Sequence, residues 1–213
     1  RKKTNSHGRY KHQSGGHGQF GDVYLDIQPL PRGSGFNFSE TIVGGVVPKQ
    51  YISGVETGVR EYLQHGPLGF PVVDVGVTLT NGSYHSVDSS EQAFKQAARV
   101  AMQQGMSDCQ PVLLEPIALV EIFAPNEFTS KVLQLISIRR GQILGYEGIT
   151  DWQGWDQISA YLALSEMQDL IVELRSQTMG VGSFNWQFDH LQEMPNKLAQ
   201  KVLSKNDNGH GHG

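Results

Sequence analysis

A glycine-rich segment that leads into an alternating apolar run limits the folds open to this chain. Gly15, Gly16 and Gly18 fall within four positions, and glycine adopts backbone angles that other residues avoid. Residues 19–29 then alternate apolar and polar side chains, as in a β-strand with one buried face. A flexible hairpin loop is the simplest interpretation of the glycines, because the element that follows them is a strand.

The same glycines match two nucleotide-binding patterns letter by letter. Residues 16–23 follow the protein-kinase pattern G-x-G-x-x-G-x-V and contain the shorter dinucleotide pattern G-x-G-x-x-G. The dinucleotide pattern needs a strand before the glycines and a helix after them. The kinase pattern needs a V-A-I-K lysine, an H-R-D loop and a D-F-G motif, which the sequence lacks. A glycine-loop nucleotide-binding enzyme is therefore the weaker hypothesis.

Charge is unevenly distributed along the chain. Residues 1–112 carry ten Lys and Arg against nine Asp and Glu, whereas residues 113–200 carry five against eleven. Five cations precede the glycines, with no acid before Asp22: Arg1, Lys2, Lys3, Arg9 and Lys11. Open backbone amides beside cations suit a phosphate-rich partner, so we expect any nucleic-acid contact to be local to this segment.

Composition excludes several classes of protein. The single Cys109 cannot form an intrachain disulfide and is typical of a reducing compartment, and no apolar run approaches the ~20 residues of a membrane-spanning helix. His7, His12 and His17 recur every five residues, a spacing that suits neither one helix face nor a zinc site, so no metal site is expected. The chain lacks a starting Met and a signal peptide, and we expect it to be a piece of a longer protein.

Periodicity predicts two successive α+β units. In the second, strands at 113–125, 141–148, 157–164 and 181–191 and helices at 126–140 and 166–178 give the order β-α-β-β-α-β, the ferredoxin-like plan. In the first, a strand over 70–79 is followed by a turn signal at 80–82, and Asp88 with Glu91 resembles a capping box. Residues 201–213 are expected to be disordered.

Several blocks, in order, resemble bacterial elongation factor G. Residues 11–21 are similar to its K-x-Q-S-G-G-R-G-Q-[FY]-G segment, residues 44–51 to G-G-V-[IV]-P-[KR]-x-Y, and residues 82–91 to G-S-Y-H-x-V-D-S-S-E. Shorter matches are P-V-V-D at 71–74, L-E-P at 114–116, R-R-G-Q-I at 139–143 and L-R-S at 174–176.

The resemblance implies a fold and a function for each unit. Residues 1–112 would be the fourth domain, with a ribosomal-protein-S5-like fold, and residues 113–200 the ferredoxin-like fifth. In the family the tip of the fourth domain enters the small-subunit decoding site and holds the tRNA–mRNA duplex, while the fifth domain lies against large-subunit rRNA near the factor-binding site. This implies a cytoplasmic, monomeric ribosome-binding module without enzymatic activity or cofactor of its own. GTP and Mg would belong to missing domains of a GTPase parent.

The resemblance also assigns the contact residues. The tip that meets the tRNA–mRNA would comprise Gln13, Ser14, Gly15, Gly16, His17, Gly18, Gln19, Tyr84 and His85, with Arg9 and Lys11 as basic residues facing RNA. Three departures from the family pattern indicate a paralogue. His17 and Val181 stand where the family usually has Arg, and residues 167–169 replace a more typical F-G-Y-like stretch. Translocation is the first hypothesis, with ribosome recycling or ribosome protection as alternatives.

Overall fold

The computed structural model describes residues 1–209, which divide into two compact units. The first is Arg1–Leu113 together with the chain from Pro195 onward, and the second is Leu114–Met194. The strands are β1 Thr4–Ser14, β2 His17–Pro29, β3 Phe36–Glu40, β4 Val75–Ser83, β5 Leu114–Pro125, β6 Gln142–Ile149, β7 Trp152–Ala163 and β8 Ser183–Glu193. The helices are α1 Lys49–Gln64, α2 Glu91–Asp108, α3 Thr129–Ile138, α4 Leu170–Gln177 and α5 Asn196–Gly209.

The first unit is a four-stranded sheet with the order β1-β2-β4-β3. Strands β1, β2 and β4 pair antiparallel, and β3 lies parallel to β4. The alternating apolar residues of β2 and β4 form the core with α1 and α2. Gly54 and Gly58 let α1 approach α2 closely, since a Cβ at either would lie within 2.5 Å of an α2 carbonyl oxygen.

Strand β4 lies further along the chain than its apolar pattern predicts. It begins at Val75 because Asp74 has a φ of +59° and accepts hydrogen bonds from the amides of Gly33 and Gly35. It also continues through the predicted turn at 80–82. Gly82 is needed there for close strand packing, because a Cβ would lie 2.3 Å from the carbonyl oxygen of Asp22.

The second unit has the predicted β-α-β-β-α-β order. Its four antiparallel strands are arranged β6-β7-β5-β8, and α3 and α4 pack on one face of the sheet. The turn between β6 and β7 is only residues 150–151, so β7 begins at Trp152, five residues before the predicted start. The α+β class predicted from the sequence is confirmed.

The end of the described chain is helical, whereas we expected residues 201–213 to be disordered. Residues 201–209 belong to α5, while residues 210–213 lie outside the described part of the chain. The helix has a half-buried apolar side formed by Leu198, Ala199, Val202 and Leu203. Helix α5 groups with the first unit and not the second. No helix among residues 1–209 has the length and hydropathy needed to cross a membrane.

Candidate functional site

The glycine-rich segment is the turn of a tight hairpin between β1 and β2. Ser14 pairs with His17, so only Gly15 and Gly16 connect the strands. Their φ angles are +52° and +138°, in the region that favours glycine and that two-residue hairpins use. No atom lies within 4 Å of a Cβ placed at either glycine, so these residues are required by backbone conformation and not by crowding.

The hairpin protrudes beyond the rest of its sheet. The last pair that β2 makes with β4 is Asp22 with Ser83, while β1 and β2 continue pairing for five more residue pairs to Ser14 and His17. At 3.3 Å per residue the hairpin extends about 16 Å beyond its pairing with β4, and residues 88–89 and α2 pack against its β2 side at Gly18, Phe20 and Gly21. We name residues 9–21 the hairpin tip.

The hairpin tip carries two cations that are open to solvent. The Arg9 guanidinium lies over the Phe20 ring, 5.2 Å from its centroid, and Lys11 pairs across the strands with Phe20. Both side chains are exposed, and neither forms an ion pair with any residue of the described chain. The Asp22 carboxylate near Arg9 instead contacts His7 and accepts a hydrogen bond from the Ser83 hydroxyl. The positive charge of Arg9 and Lys11 is therefore available to a partner.

Residues 84–90, which we name the His85 segment, are fastened to the hairpin tip at Phe20. The Phe20 amide donates to the Asp88 carbonyl at 2.9 Å, and the Ser89 hydroxyl donates to the Phe20 carbonyl at 2.9 Å. The same hydroxyl accepts from the His85 amide at 2.8 Å. These bonds place the His85 ring 6.4 Å from the Phe20 ring. The structure thus brings together the two segments that the sequence predicted to share a site.

The His85 imidazole is oriented by its own segment. Its Nδ1 accepts from the amides of Val87 at 3.3 Å and Asp88 at 3.2 Å. A ring nitrogen that accepts carries no proton, so in this arrangement the proton of the neutral ring resides on Nε2. The side chain is 54% exposed. His85 can therefore present a hydrogen-bond donor to a partner.

Asp88 does not cap α2 as the sequence predicted. The N-cap is Ser90, whose side-chain oxygen accepts from the Ala93 amide at 3.1 Å. Asp88 instead lies against Gly18, where a Cβ would be 2.6 Å from the Asp88 carboxylate. Gly18 is thus required for a different reason from Gly15 and Gly16: it makes room for the His85 segment.

The predicted contact residues fall into an exposed and a half-buried group. The exposed ones are Arg9, Lys11, Gln13, Gly15, Gly16, His17, Tyr84 and His85. Gly18 and Gln19 are half-buried, and Ser14 belongs to β1.

Sequence reasoning missed Ser89, which joins the two segments, and Val87, which is 78% exposed beside His85. Both lie inside the G-S-Y-H-S-V-D-S-S-E block, so the block itself was the available signal. Among residues 1–209, no group of three or more His, Cys, Asp or Glu side chains is placed to hold a metal ion.

Two family models match the chain, one to each half. Residues 1–110 match "Elongation factor G, domain IV", and residues 112–202 match "Elongation factor G C-terminus". The two matches meet within four residues of the boundary between the structural units.

Similar proteins extend well beyond this chain. An "Elongation factor G-like protein" from Synechocystis sp. is 71% identical over 202 residues, which is 95% of this chain and 30% of that protein. A crystal structure of a Thermus thermophilus protein superposes with a TM-score of 0.88 at 38% identity, covering 98% of this chain and 31% of the other. The chain therefore spans about a third of the length of these relatives.

Proposed function

Because this chain belongs to the elongation factor G family and comprises its domain IV and C-terminal domain, we propose that it is the ribosome-binding end of a translational GTPase. The whole protein promotes movement of tRNA and mRNA during protein synthesis in the cytoplasm. GTP and Mg²⁺ bind to its other domains. The hairpin tip and the His85 segment contact the tRNA–mRNA duplex in the decoding site of the small subunit, and the second unit meets the large subunit at the factor-binding site.

The protruding hairpin is the observation that carries this proposal. A hairpin that extends about 16 Å, and that only α2 and the His85 segment cover on one side, can enter a cleft that the whole unit cannot. Its cations, Arg9 and Lys11, have no ion-pair partner in the described chain, so phosphate can take that place without first displacing a carboxylate.

The chemistry of the tip suits a partner whose base sequence changes at every step. Contacts to phosphate and sugar position a protein on nucleic acid without reading its sequence, whereas contacts to base edges discriminate. Gly15 and Gly16 have open space where a Cβ would lie, so a partner can approach their backbone, and His85 presents a ring N–H. Each of these groups can donate to an RNA backbone of any sequence.

Binding of the chain to purified ribosomes at increasing salt concentration tests the role of the two cations. Each phosphate neutralised on a single strand adds about 0.7 to the slope of log K against log salt. Arg9→Ala with Lys11→Ala should weaken binding and reduce the magnitude of the negative slope by roughly 1.4. Lys201→Ala with Lys205→Ala, which removes the same charge from exposed positions on α5, is the matched control and should leave the slope nearly unchanged. An equal slope in all three chains would contradict the proposed contact.

The nucleotide-enzyme hypothesis has little structural support. Dinucleotide-binding glycine loops direct their amides to a ligand from the N-terminus of a helix, but both neighbours of Gly15 and Gly16 are strands. The kinase pattern lacks its lysine, H-R-D and D-F-G motifs in this sequence. Titration of the chain with ATP and GTP separates the two functions. We expect no binding at millimolar nucleotide, and saturable binding would revive the enzyme hypothesis.

His17 keeps the paralogue alternatives open. It is exposed at the turn of the hairpin, and it stands where the resemblance led us to expect Arg. A factor that acts in recycling or protection would use the same hairpin on a different ribosomal state. Assays of translocation, of ribosomal subunit splitting and of relief from tetracycline inhibition with the full-length protein distinguish the three activities. We expect the protein to stimulate translocation more strongly than the other two.

A further inference from the structure

Helices α3 and α4 pack on one face of the sheet of the second unit, over β5 and β7, and neither helix packs on the other face. Val120 and Ile122 of β5 point to the side where α3 and α4 pack, in the same cluster as Val132 and Leu174. Since side chains alternate along a strand, Leu119, Glu121 and Phe123 lie on the opposite side. We name that opposite side the open face.

Large aromatic side chains lie on the open face. Trp152 packs edge-on against Phe123 with ring centroids 6.4 Å apart, and it contacts Trp155 in the same way at 5.5 Å. Tyr161 pairs with Leu119 across the strands and therefore lies on the same side. Trp152 is 52% exposed, and the other three aromatic rings are half-buried. The open face therefore offers apolar area that is not covered within the unit.

The strands of the open face also lack fixed positive charge, and the ring of His190, which lies against Tyr161, is hydrogen-bonded to the Asp189 carboxylate. None of the residues of β5, β6, β7 and β8 is Lys or Arg, whereas six are acidic. Two of these acids, Glu121 and Glu147, lie on the open face, because Glu121 pairs with Ser159 and Glu147 pairs with Gln157 of β7. The nearby arginines of the unit do not compensate, since Arg139 and Arg140 form ion pairs with Glu173, Glu115 and Glu166.

We propose that the open face binds a basic protein surface and not RNA. Single-stranded RNA stacks on aromatic side chains, but it does so in positively charged grooves that offset its phosphates, and Glu121 and Glu147 would repel those phosphates. Tryptophan and tyrosine are enriched in the centres of protein–protein interfaces, and acidic residues around them attract lysine and arginine. The partner is a ribosomal protein that presents lysine and arginine side chains around an apolar contact. This inference rests on the ribosome-binding function proposed above.

Site-specific crosslinking of the chain to purified ribosomes identifies the chemical class of the partner. One variant, Gln157→Cys, places a thiol-reactive photo-crosslinker on the open face, and a second, His17→Cys, places it on the hairpin tip. We expect RNase to leave the size of the adduct from residue 157 unchanged, and to reduce the adduct from residue 17 to nearly the size of the chain alone. An rRNA adduct from residue 157 would overturn the inference, as would its failure to crosslink while residue 17 reacts. No adduct from either position would overturn the ribosome-binding function as well.

Charge reversal provides a second test that differs in sign between the two partners. Glu121→Lys with Glu147→Lys should weaken ribosome binding about ten-fold against a basic protein, because two attractions become repulsions. The same change should strengthen binding if the partner is RNA. Asp108→Lys is the control for a general charge effect, since Asp108 is exposed at the end of α2 in the first unit. Stronger binding in the double variant than in this control would contradict the proposal.

Discussion

At the residue scale, the glycines of the first unit serve three separate purposes. Gly15 and Gly16 supply positive φ angles at the hairpin turn. Gly8 and Gly21 let the base of the hairpin lie directly on α2, where a Cβ would meet the carbonyl oxygens of Ala97 and Ala93. Gly18 makes room for the Asp88 carboxylate. A substitution therefore has a different cost at each of these positions.

Gly18→Ala tests the close approach of the His85 segment. The new Cβ would lie 2.6 Å from an Asp88 oxygen, so the segment must shift, and we expect a loss of about 1–2 kcal/mol in the free energy of unfolding. Adding Asp88→Ala removes the obstructing carboxylate and should recover most of that loss. Urea unfolding of both single variants and the double variant measures the coupling, and strictly additive losses would contradict the contact.

The ionisation of Asp74 makes the free energy of unfolding depend on pH at acidic pH. Burial opposes its charge, but hydrogen bonds from the amides of Gly35 and Gly33 and from Arg32 outweigh burial and lower its pKa below the ordinary 3.8. Because the pKa is lower in the folded state, the stabilisation is complete above the unfolded pKa and is lost as pH falls through the folded pKa.

Asp74→Asn should therefore destabilise the protein by about 1–3 kcal/mol at pH 7, and this difference should shrink as pH falls below about 4. Urea unfolding of both proteins at pH 7 and pH 3 measures it. Asp108→Asn, an exposed control on α2, should show only a small difference at both pH values. A cost for Asp74→Asn that stayed constant over this range would show that the charge of Asp74 does not contribute.

At the element scale, the junction after α3 is fastened by two arginines in succession. Arg139 donates to the carbonyls of Glu166 and Gln168, which fixes the chain before α4. Arg140 forms two bonds with the Glu115 carboxylate, at 3.1 and 3.3 Å, and those bonds raise the pKa of Arg140. Glu115 is only 5% exposed at its side chain, so it depends on this partner.

Arg140→Ala should lower the free energy of unfolding of the second unit by about 3 kcal/mol, because it leaves the buried Glu115 without its partner. Adding Glu115→Gln should recover part of the loss, since a neutral amide is less costly to bury than an unpaired carboxylate. Arg175→Ala, at an exposed position on α4, is the control and should change stability by no more than about 0.5 kcal/mol. Equal effects of Arg140→Ala and Arg175→Ala would contradict this role.

Helix α5 should be detectable by amide hydrogen exchange. In the whole chain, residues 199–206 should exchange at least about ten-fold more slowly than an unstructured peptide, because the apolar side of the helix is half-buried. A synthetic peptide of residues 195–209 should exchange at unstructured rates, since isolated helices of this length are marginal in water. Exchange of these amides at unstructured rates in the whole chain would show that the segment is disordered.

Much of the fold was predictable at the element scale. The predictions that were wrong share a cause, because tertiary packing decided those segments. The second unit's order followed from periodicity alone, because amphipathic strands and helices show different repeats. The turn signal at residues 80–82 was misleading, since Gly82 serves strand packing and Asn81 bonds within the strand. The polar run after Val202 hid a short helix that packing stabilises. The resemblance predicted that the hairpin and the His85 segment share a site, and its G-S-Y-H-S-V-D-S-S-E block includes Ser89, but the hydrogen bonds of Ser89 depend on tertiary contacts.

At the scale of the whole molecule, the two units differ in the charge of their surfaces. The first carries two exposed cations, Arg9 and Lys11, on a protruding hairpin, and the second has a sheet without a single Lys or Arg in its strands. The acidic excess is confined to the second unit, and exposed cations lie on the hairpin of the first, so we expect two partners of different chemistry. The overall net charge of −4 conceals this division.

The central claim is that the hairpin tip acts on tRNA and mRNA, and single-round translocation by the full-length protein tests it most directly. Gly16→Val cannot keep a φ of +138° and should deform the turn, and His85→Ala removes the ring N–H. Each should slow translocation by about ten-fold or more, while ribosome-stimulated GTP hydrolysis stays near the unmodified rate because we propose that the GTP site lies in other domains. Translocation at the unmodified rate in both variants would contradict the account.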